Sequence, residues 1–449
     1  MAPETNEEVF DLIVIGGGGS GLTAALAAAQ FGSKVLVIEA SSGTGGHTSM
    51  TQGMFPAAGA RIQLENGLDI SPEQVFSDIM KANGNSANKE LVMQLCRYSG
   101  ETVDWLVSYV GQPMYPVTEF RYYGYSVSSI VAPGSRTGAE LTSSLQLKAE
   151  SNENILIVKS RRCLLSLDSR IGKVLAEIVG TGERIHGRKY VVAAGGFGAN
   201  RDMVSRYLPE AGNLLYFGSS DHDGTAVKIA KKLGLRLDFM DSYQAHSSVS
   251  ATGNLLSWES VLKGSIIVNS SGRRFAEEMV GYSEFASKIM NQDGGYAYEI
   301  IPDHVYREMV ALYQEFRAAS EQGGIMHMKS PREISEFIGC SQAAIDESLS
   351  QFLRSSYVQG EKNFPQNVLP FHVAKIYPAL FHTLGGIATD RYLRAVRENG
   401  SISSQVYAVG DSAAGISGHG AGGYLSGSGL LMAIVGGYIA GRHAVGNLK

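Results

Sequence analysis

Cysteine is scarce in this chain, which has three cysteines among 449 residues. They are Cys96, Cys163 and Cys340, and their wide spacing matches neither a metal-binding motif nor a disulfide framework. The CxxCH sequence that attaches haem is also missing. This cysteine usage is typical of a reducing compartment, so we expect a cytoplasmic protein without a bound metal.

Long hydrophobic runs and an excess of basic residues are missing as well. The apolar stretch at 12–31 is interrupted by four consecutive glycines, and the stretch at 429–441 is shorter than the roughly 20 residues that span a bilayer. The first eight residues are polar and acidic, without the features of a secretion signal. Because the net charge is -5, we expect neither a membrane nor a nucleic acid as partner.

Glycine, in contrast, is abundant and clustered. The chain has 54 glycines, about 12% of its residues against a usual value of about 7%. Clustered glycines indicate places where the backbone approaches another group closely, as it does around a phosphate-bearing cofactor.

The most informative glycine cluster follows a predicted strand at 11–15 and opens a predicted helix. Its spacing is Gly16-x-Gly18-x-x-Gly21, and Glu39 ends the next predicted strand. Such glycines allow a tight turn against a pyrophosphate, and the acidic residue binds a ribose hydroxyl. The pattern predicts dinucleotide binding, the alternative being a structural turn, and Glu39 alone does not distinguish FAD from NAD. The contacts expected here are Gly16, Gly18, Ser20, Gly21, Glu39 and Ala40.

A second strand–glycine pattern lies near the C-terminus. A predicted strand at 405–409 ends in Gly410-Asp411, and Gly427-Ser428-Gly429 begins a glycine-rich helix. This arrangement resembles the two-dinucleotide-domain flavoproteins, in which the aspartate holds the ribityl chain of FAD and the helix N-terminus faces the flavin. The resemblance implies FAD as the cofactor. The alternative for Asp411 is a helix-capping residue in a loop.

Several motifs between these two patterns resemble the fumarate reductase/succinate dehydrogenase flavoprotein family. They occur in the family's order, at 45–53 (GGHTSMTQG), 223–224, 244–246, 268–275 and 382–386. In that family an inserted domain closes over the flavin and the substrate. The further FAD contacts that the resemblance implies are Gly46, His47, Thr48, Ser49, Gly53, Ala194, Gly195, Asp411, Ser428 and Leu430.

The resemblance predicts an α/β fold with a discontinuous Rossmann-like FAD-binding domain and an inserted α+β cap domain. We place the FAD-binding domain at 9–219 and 366–449, and the cap at 220–365. His47 stands where membrane-bound members of the family attach FAD covalently to histidine. Two alternatives follow for His47, a covalent bond to FAD or a hydrogen bond to it.

The chain departs from the fumarate reductases at the substrate. Those enzymes hold a dicarboxylate with two histidines and two arginines, and one arginine delivers the proton. The histidines correspond to His246 and His382, but the proton-donating arginine is replaced by Tyr282, and the other arginine position falls within 422–424. Reduction of a dicarboxylate is therefore not the expected activity.

Glu278-x-x-x-Tyr282 instead resembles the 3-ketosteroid Δ1-dehydrogenases and related cyclic-ketone desaturases, in which this tyrosine removes a proton next to the ketone. The segment at 370–378 resembles the part of those enzymes that lines the ketone end. A tyrosine cluster at 122–125 resembles the one that supplies their second tyrosine, and we choose Tyr123 within it. The implied catalytic residues are Tyr282, Tyr123 and His382, and the implied substrate contacts are His246, His372, Tyr377 and Ala379.

The function expected from this resemblance is the FAD-dependent introduction of an α,β double bond into a cyclic ketone. The substrate is expected to be a small oxocyclohexane, such as 4-oxocyclohexanecarboxylate with its acid group on His246, or a ketosteroid. The alternative is an ene-reductase that runs the same chemistry backwards with Tyr282 as the acid. Either reaction needs an external electron acceptor or donor. A non-enzymatic flavin sensor would not need tyrosines and histidines facing the flavin.

Overall fold

The computed structural model describes residues 10–168, 172–354 and 370–448 of the chain. In these ranges the strands are β1 Phe10–Ile15, β2 Val35–Ile38, β3 Phe55–Pro56, β4 Met114–Pro116, β5 Ile130–Pro133, β6 Ile155–Val158, β7 Cys163–Asp168, β8 Lys173–Ile178, β9 Arg184–Ile185, β10 Gly187–Val192, β11 Leu215–Tyr216, β12 Leu237–Asp238, β13 Tyr243–Ser250, β14 Ile266–Val268, β15 Ala297–Pro302, β16 Ile325–Met328, β17 Phe371–Thr383, β18 Gly386–Ile387, β19 Arg394–Val396 and β20 Ile402–Ala408. The α-helices are α1 Gly19–Ala29, α2 Arg61–Glu65, α3 Pro72–Ala82, α4 Lys89–Trp105, α5 Gly138–Glu150, α6 Arg201–Tyr207, α7 Thr225–Leu233, α8 Glu259–Leu262, α9 Tyr282–Met290, α10 Asp303–Leu312, α11 Gln314–Glu321, α12 Pro331–Ile338, α13 Gln342–Arg354, α14 Ser428–Leu430 and α15 Gly436–Ala444.

The first sheet has six strands in the order β19-β20-β10-β1-β2-β6. The neighbours from β20 to β6 are parallel, and β19 is antiparallel to β20. The last four residues of β1 and all four of β2 are buried. A parallel sheet is covered on both faces, which explains why these strands read as continuous apolar runs. The β1–α1–β2 unit predicted from the glycine motif is therefore present.

Helix α1 is buried along its whole length and packs against α15. Small residues make this close approach possible. A Cβ atom on Gly441 would lie 2.3 Å from the carbonyl oxygen of Ala24, and one on Gly437 would lie 2.5 Å from that of Ser20. The chain ends thus meet in one layer, because α1 comes from the N-terminal part and α15 from the C-terminal part.

The second sheet is organised around β17, a strand of 13 residues. β13, β15 and β16 pair with β17 in antiparallel orientation, β11 pairs with it in parallel, and β14 extends the sheet from β15. Together with α9 to α13 this sheet forms an α+β layer beside the parallel sheet. The structure therefore has the expected class, a Rossmann-like α/β domain with an α+β insertion.

The boundaries of the insertion differ from the expected ones. β11 at Leu215–Tyr216 and β17 at Phe371–Thr383 both pair within the second sheet. The layer thus takes residues from 215 to 383, which is wider than the expected 220–365. Residue 366, where we expected the chain to return to the FAD domain, lies outside the described residues.

The described residues offer neither a membrane-spanning helix nor a metal-binding cluster. None of their helices has both the length and the hydrophobicity needed to cross a bilayer. Within the same residues, no group of three or more histidine, cysteine, aspartate or glutamate side chains is arranged to hold a metal ion.

Candidate active site

A large cavity lies between the two sheets, with an empty volume of about 1460 Å³ that includes its open mouth. It extends from the carboxyl ends of β1 and β2 to the last residues of β17. Ligands of open α/β sheets bind at the carboxyl ends of the strands. We call its three parts the near end around Glu39, the centre around Asp411, and the far end around Tyr282.

The glycine turn at the near end leaves no room for side chains. Gly16 has φ +109°, and a Cβ atom there would lie 2.2 Å from the carbonyl oxygen of Ala193. A Cβ atom on Gly21 would lie 2.0 Å from the carbonyl oxygen of Gly16. Gly18 caps α1 without a side-chain hydrogen bond, so amides of the first helical turn are available to an anion. This turn fits the pyrophosphate of a dinucleotide.

Glu39 and two charged loops surround the near end. The Gly17 amide donates a hydrogen bond of 2.5 Å to Glu39 Oε2, and the Ser41 amide donates one of 2.7 Å to Oε1. The Ser41 hydroxyl hydrogen-bonds to Asp221, which also pairs with Arg162 at 2.8 Å. Arg161, Arg162 and Asp221 line the cavity but were not predicted. Arg161 and Arg162 come from the β6–β7 loop, which has no motif that we recognised, and Asp221 comes from the β11–α7 loop, just before the motif at 223–224.

Asp411 forms the hydrogen-bonded core of the centre. Its Oδ1 lies 2.8 Å from His382 Nδ1, and His382 Nε2 lies 2.5 Å from Gln244 Oε1. Burial opposes ionisation, but His382, His222 and His47 outweigh it and hold the pKa of Asp411 at about 2. Asp411 is therefore a carboxylate that can accept hydrogen bonds from a polyol chain. Both ring nitrogens of His382 are engaged, so it is not free to act on a substrate in this arrangement.

His47 lies beside this core, and neither of its ring nitrogens has a hydrogen-bond partner within the part of the chain that the structure describes. Its ring stacks on His222 with centroids 5.1 Å apart and meets the edge of Phe381 at 4.5 Å. Burial, followed by the charges of His222 and His382, lowers the pKa of His47 well below the usual value. A neutral imidazole with a free nitrogen suits either a covalent bond or a hydrogen bond to FAD. Acid precipitation distinguishes them, because only covalently bound flavin stays with the protein.

A second helix N-terminus points at the centre. Gly427 has φ +81°, and α14 begins at the next residue. A Cβ atom on Gly429 would lie 2.8 Å from His382, and the buried Ser428 hydroxyl has no partner among the described residues. A helix N-terminus carries partial positive charge, which stabilises an anionic reduced flavin. With the glycine turn and the unpartnered His47 nitrogens, these groups fit FAD extended from the near end to the centre.

The far end brings Tyr282, Tyr424, Ser426, His246 and Trp258 together on the cavity wall. Burial raises the pKa of the Tyr282 hydroxyl to about 12, although hydrogen bonds with the Ser426 and Tyr424 side chains act in the opposite direction. Tyr282 is therefore protonated at neutral pH. The Tyr282 and Tyr424 rings lie with their centroids 6.0 Å apart, so hydroxyl groups of both residues and of Ser426 face the same part of the cavity.

His246 is buried beside Tyr282, and its burial lowers its pKa to about 3. Its Nδ1 accepts a hydrogen bond of 3.2 Å from the Ser248 amide. A neutral imidazole whose Nδ1 accepts carries its proton on Nε2. His246 is thus a neutral donor, and it cannot offset the charge of a carboxylate.

The described residues that line the far end include no lysine or arginine. Among the described residues that line the cavity, the cationic side chains are Arg161 and Arg162, both at the near end. Arg162 already pairs with Asp221 and Asp223. A substrate carboxylate at the far end would be buried without a partner there, which is unfavourable.

Four residues expected at the site lie away from the cavity. Tyr123, which we chose within the tyrosine cluster, is 51% exposed, whereas Tyr122 is 6% exposed and lines the far end. His372 bonds instead to Asp303 at 3.0 Å. The other two displaced residues are Tyr377 and Ala379.

The strand β17 explains the displacement of His372, Tyr377 and Ala379. A strand rises about 3.3 Å per residue, so ten residues span roughly 33 Å. His372 and His382 are at opposite ends of β17, and only Phe381 and His382 line the cavity. Ala379 is buried and pairs with His246 and Leu215 inside the sheet.

Most expected cofactor contacts do line the cavity. They are Gly16, Gly18, Ser20, Glu39, Ala40, Gly46, His47, Thr48, Ala194, Gly195, Asp411 and Leu430. The expected residues that do not line it support it from behind. Gly21 packs on Gly16, the Ser49 hydroxyl donates to the Gly46 carbonyl, Gly53 packs on Pro133, and Ser428 lines a small adjoining cavity.

Comparison with known proteins agrees with this geometry. Residues 11–429 match the family described as "FAD binding domain". The chain belongs to this FAD-binding family. The predicted membership of the fumarate reductase/succinate dehydrogenase flavoprotein superfamily is thereby confirmed, as is FAD as the cofactor. The chain is an FAD-dependent oxidoreductase.

Relatives of two kinds resemble the chain. It is 27% identical to the NADH:fumarate oxidoreductase of Klebsiella pneumoniae (strain 342), over 97% of this chain and 47% of that protein, so it spans about half of that relative. Among solved structures, 3-ketosteroid-Δ4-(5α)-dehydrogenase of Rhodococcus jostii RHA1 has a TM-score of 0.74 at 24% identity, with 98% of each chain covered. The 3-ketosteroid Δ1-dehydrogenase of Sterolibacterium denitrificans has a TM-score of 0.78 at 17% identity, with 97% of this chain and 99% of that chain covered. At these identities the structural likeness establishes the fold.

Proposed function

We propose that the protein introduces an α,β double bond into an uncharged cyclic ketone. The observation that carries this proposal is the far end itself, where Tyr282 lies beside Tyr424 and Ser426 and its ring stacks on the neutral donor His246. Acid–base chemistry next to a carbonyl needs such groups, and recognition of a dicarboxylate needs cations. The described lining of the far end offers acid–base groups but no lysine or arginine that could bind a dicarboxylate.

In the proposed reaction, two hydrogens leave adjacent carbons of the ketone, and the electron pair that remains becomes the new C=C bond. Tyr282 takes the hydrogen next to the carbonyl as a proton. The other hydrogen leaves as a hydride, and FAD held between the glycine turn and Asp411 would supply the two-electron acceptor for it. His246 donates from Nε2 to the ketone oxygen and stabilises the negative charge that develops there.

The pKa of Tyr282 sets the energetic demand. With a pKa of about 12, ionising this phenol at pH 7 costs about 7 kcal/mol, at 1.36 kcal/mol per pH unit. A turnover of about 10 per second corresponds to a barrier of about 16 kcal/mol. The cost therefore fits within an ordinary barrier, provided that Tyr424 and Ser426 stabilise the phenolate while the proton moves.

The apolar surface and the lack of charge on the cavity wall favour an uncharged ketone. Trp258, Leu255, Met54 and Tyr122 supply apolar surface near Tyr282. The acid group of 4-oxocyclohexanecarboxylate would meet a neutral His246. An unsubstituted or alkyl-substituted cyclohexanone, or a ketosteroid, is favoured for this reason.

The second candidate is reduction of an activated C=C bond, with Tyr282 as the proton donor. Two observations favour it: Tyr282 is protonated at neutral pH, and the Klebsiella relative is a fumarate oxidoreductase. The two reactions share their residues and differ in direction, which the flavin potential and the electron partner determine.

Anaerobic mixing tests the proposal directly. The FAD-loaded protein is mixed without oxygen with cyclohexanone, a ketosteroid or 4-oxocyclohexanecarboxylate, and the yellow flavin absorbance is followed. We expect an uncharged ketone to bleach the flavin and the carboxylate to act much more slowly. If no ketone bleaches it, while chemically reduced protein is reoxidised by fumarate or an uncharged enone, the second candidate replaces the first.

A further inference from the structure

A fully buried glutamate lies directly behind the far end. Glu259 is 0% exposed and follows Trp258, which lines the cavity. Its Oε2 accepts a hydrogen bond from the Tyr313 hydroxyl, and its Oε1 lies 3.4 Å from Lys263 Nζ. All these residues belong to the layer formed by the second sheet, and α8 begins at Glu259 itself.

The remaining partner of Glu259 comes from the other layer. Arg136 lies between β5 and α5, and its Nη1 is 3.6 Å from Glu259 Oε2. Arg136 Nη2 pairs with Glu119 at 2.7 Å, in the loop that also carries Tyr122. The backbone of Arg136 has φ +53°, an unfavourable conformation for a residue with a side chain, so tertiary contacts must hold it.

This chain of charges joins two walls of the far end. Trp258 is adjacent to Glu259 on one side, and Tyr122 lies three residues after Glu119 on the other. The Trp258 indole N–H is buried without a partner among the described residues, so hydrogen bonds from its own indole do not fix its position. The ion pair is the polar link between the segments that carry the two aromatic walls.

The chemistry of a buried ion pair explains why this link is sensitive. A carboxylate taken out of water needs its partners, and removing one partner leaves an uncompensated buried charge. Burial raises the pKa of Glu259, while Tyr313, Lys263 and Arg136 act against that shift. Glu259 Oε1 and Arg136 Nη1 have no hydrogen-bond partner among the described residues, so the contacts of 3.4 Å to Lys263 and 3.6 Å to Arg136 act through charge. The positions of the neighbouring segments therefore affect how well the buried charge of Glu259 is compensated.

We propose that Glu259 is a positioning residue, which acts with Arg136 to hold Trp258 and Tyr122 at a fixed separation and so determines which ketones fit the far end. The choice of ketones rests on the proposed function. The position of Trp258 does not, because it can be measured without any substrate.

Trp258 fluorescence provides the first test. The chain has two tryptophans, so Trp105→Phe leaves Trp258 as the single reporter. In this background, with FAD bound, Glu259→Gln is expected to shift the emission to longer wavelength and to increase quenching by acrylamide. The matched control is Glu299→Gln, which removes another fully buried carboxylate of the same layer that bonds to Ser260. It is expected to leave Trp258 emission unchanged.

Kinetics provide the second test and use the native tryptophans, in case Trp105→Phe does not fold. A displacement of about 1 Å in a site can cost about 10²-fold in rate. We expect Glu259→Gln to raise KM for the best ketone about tenfold or more, with a smaller change in kcat. The double variant Glu259→Gln, Arg136→Met removes both charges, and it should recover part of the loss.

The outcomes separate the two proposals. If Glu259→Gln matches Glu299→Gln both in Trp258 emission and in KM, the positioning role is overturned. If the native protein accepts no ketone, the proposed function fails, and the emission measurement still decides the role of Glu259.

Discussion

The rings of Tyr282 and His246 stack at the far end of the cavity, with centroids 4.6 Å apart and an angle of 27° between their planes. The stack puts a protonated phenol and a neutral imidazole side by side. Neither group carries a charge at neutral pH. In these states both groups donate hydrogen bonds, so they suit an uncharged oxygen acceptor such as the oxygen of a ketone. Removal of a proton next to that ketone requires Tyr282 to ionise first.

Loss of the Tyr282 hydroxyl should lower the turnover rate strongly and leave FAD binding unchanged. Tyr282→Phe keeps the ring and its stack on His246. We expect turnover to fall by about 10²–10⁴, the usual contribution of a positioned acid or base. FAD content, read from the visible spectrum, should be unchanged.

Tyr123→Phe is the matched control for this substitution, because Tyr123 belongs to the tyrosine cluster but is 51% exposed. It should keep native turnover. Equal activities for the Tyr123 and Tyr282 variants would argue against proton transfer by Tyr282.

The pH dependence should report the high pKa of Tyr282. In the dehydrogenation direction, the base is the phenolate, whose fraction rises about tenfold per pH unit below a pKa of about 12. We expect kcat/KM for the ketone to rise with pH from 7 to about 10 without a plateau. In the reductive direction Tyr282 is already protonated, so the profile should stay flat over the same range. Stopped-flow reduction and reoxidation of the flavin measure the two directions separately.

The glycine turn should be essential for FAD binding. Gly21→Ala places a methyl group 2.0 Å from the Gly16 carbonyl oxygen, so the turn must open. We expect purified Gly21→Ala protein to lose most of its FAD. Gly43→Ala is the control, because a Cβ atom at Gly43 meets nothing within 4 Å. It should bind FAD as the native protein does, and loss of FAD in both variants would mean that the clash at Gly21 is not the cause.

The parts of the fold that could be predicted rest on local signals. The strand–glycine–helix pattern at 11–31 predicted β1 and α1, because the turn and the buried strands constrain neighbouring residues. The Ser71-Pro72 pair has the typical residues of a helix start, and α3 does begin at Pro72, with Ser71 Oγ accepting a hydrogen bond from the Gln74 amide. Helix caps and glycine turns depend on only a few neighbouring residues, so they can be predicted from the sequence alone.

The parts that failed depend on contacts between distant segments. Whether Tyr122 or Tyr123 faces the cavity depends on how the loop at 117–129 packs, for which the sequence has no periodic signal. The length of β17 placed His372 far from His382, although both lie in segments that resemble ligand-lining motifs. The ion pair of Arg136 with Glu259 joins residues more than a hundred positions apart. Pairings between such distant residues can be recognised only once the two layers of the fold are known.

The buried neutral state of His246 predicts a loss of stability in acid. In the unfolded chain a histidine binds a proton below about pH 6.5, whereas in the fold His246 stays neutral down to a pKa of about 3. Between these values the unfolded state binds more protons, so the free energy of unfolding falls as the pH falls from 6.5 to 3. At pH 5 this single group should cost about 2 kcal/mol, at 1.36 kcal/mol per pH unit.

Urea unfolding at pH 7.5 and pH 5 measures this cost in native protein and in His246→Gln, whose side chain does not titrate. The stability difference between the two pH values should be about 2 kcal/mol smaller in the variant. Tyr282→Phe alters the other ring of the stack without removing an imidazole, so it should keep the native difference. If His246→Gln shows the full native pH dependence, His246 gains its proton in the folded state, and the donor role assigned to its Nε2 would have to be replaced by that of a cation.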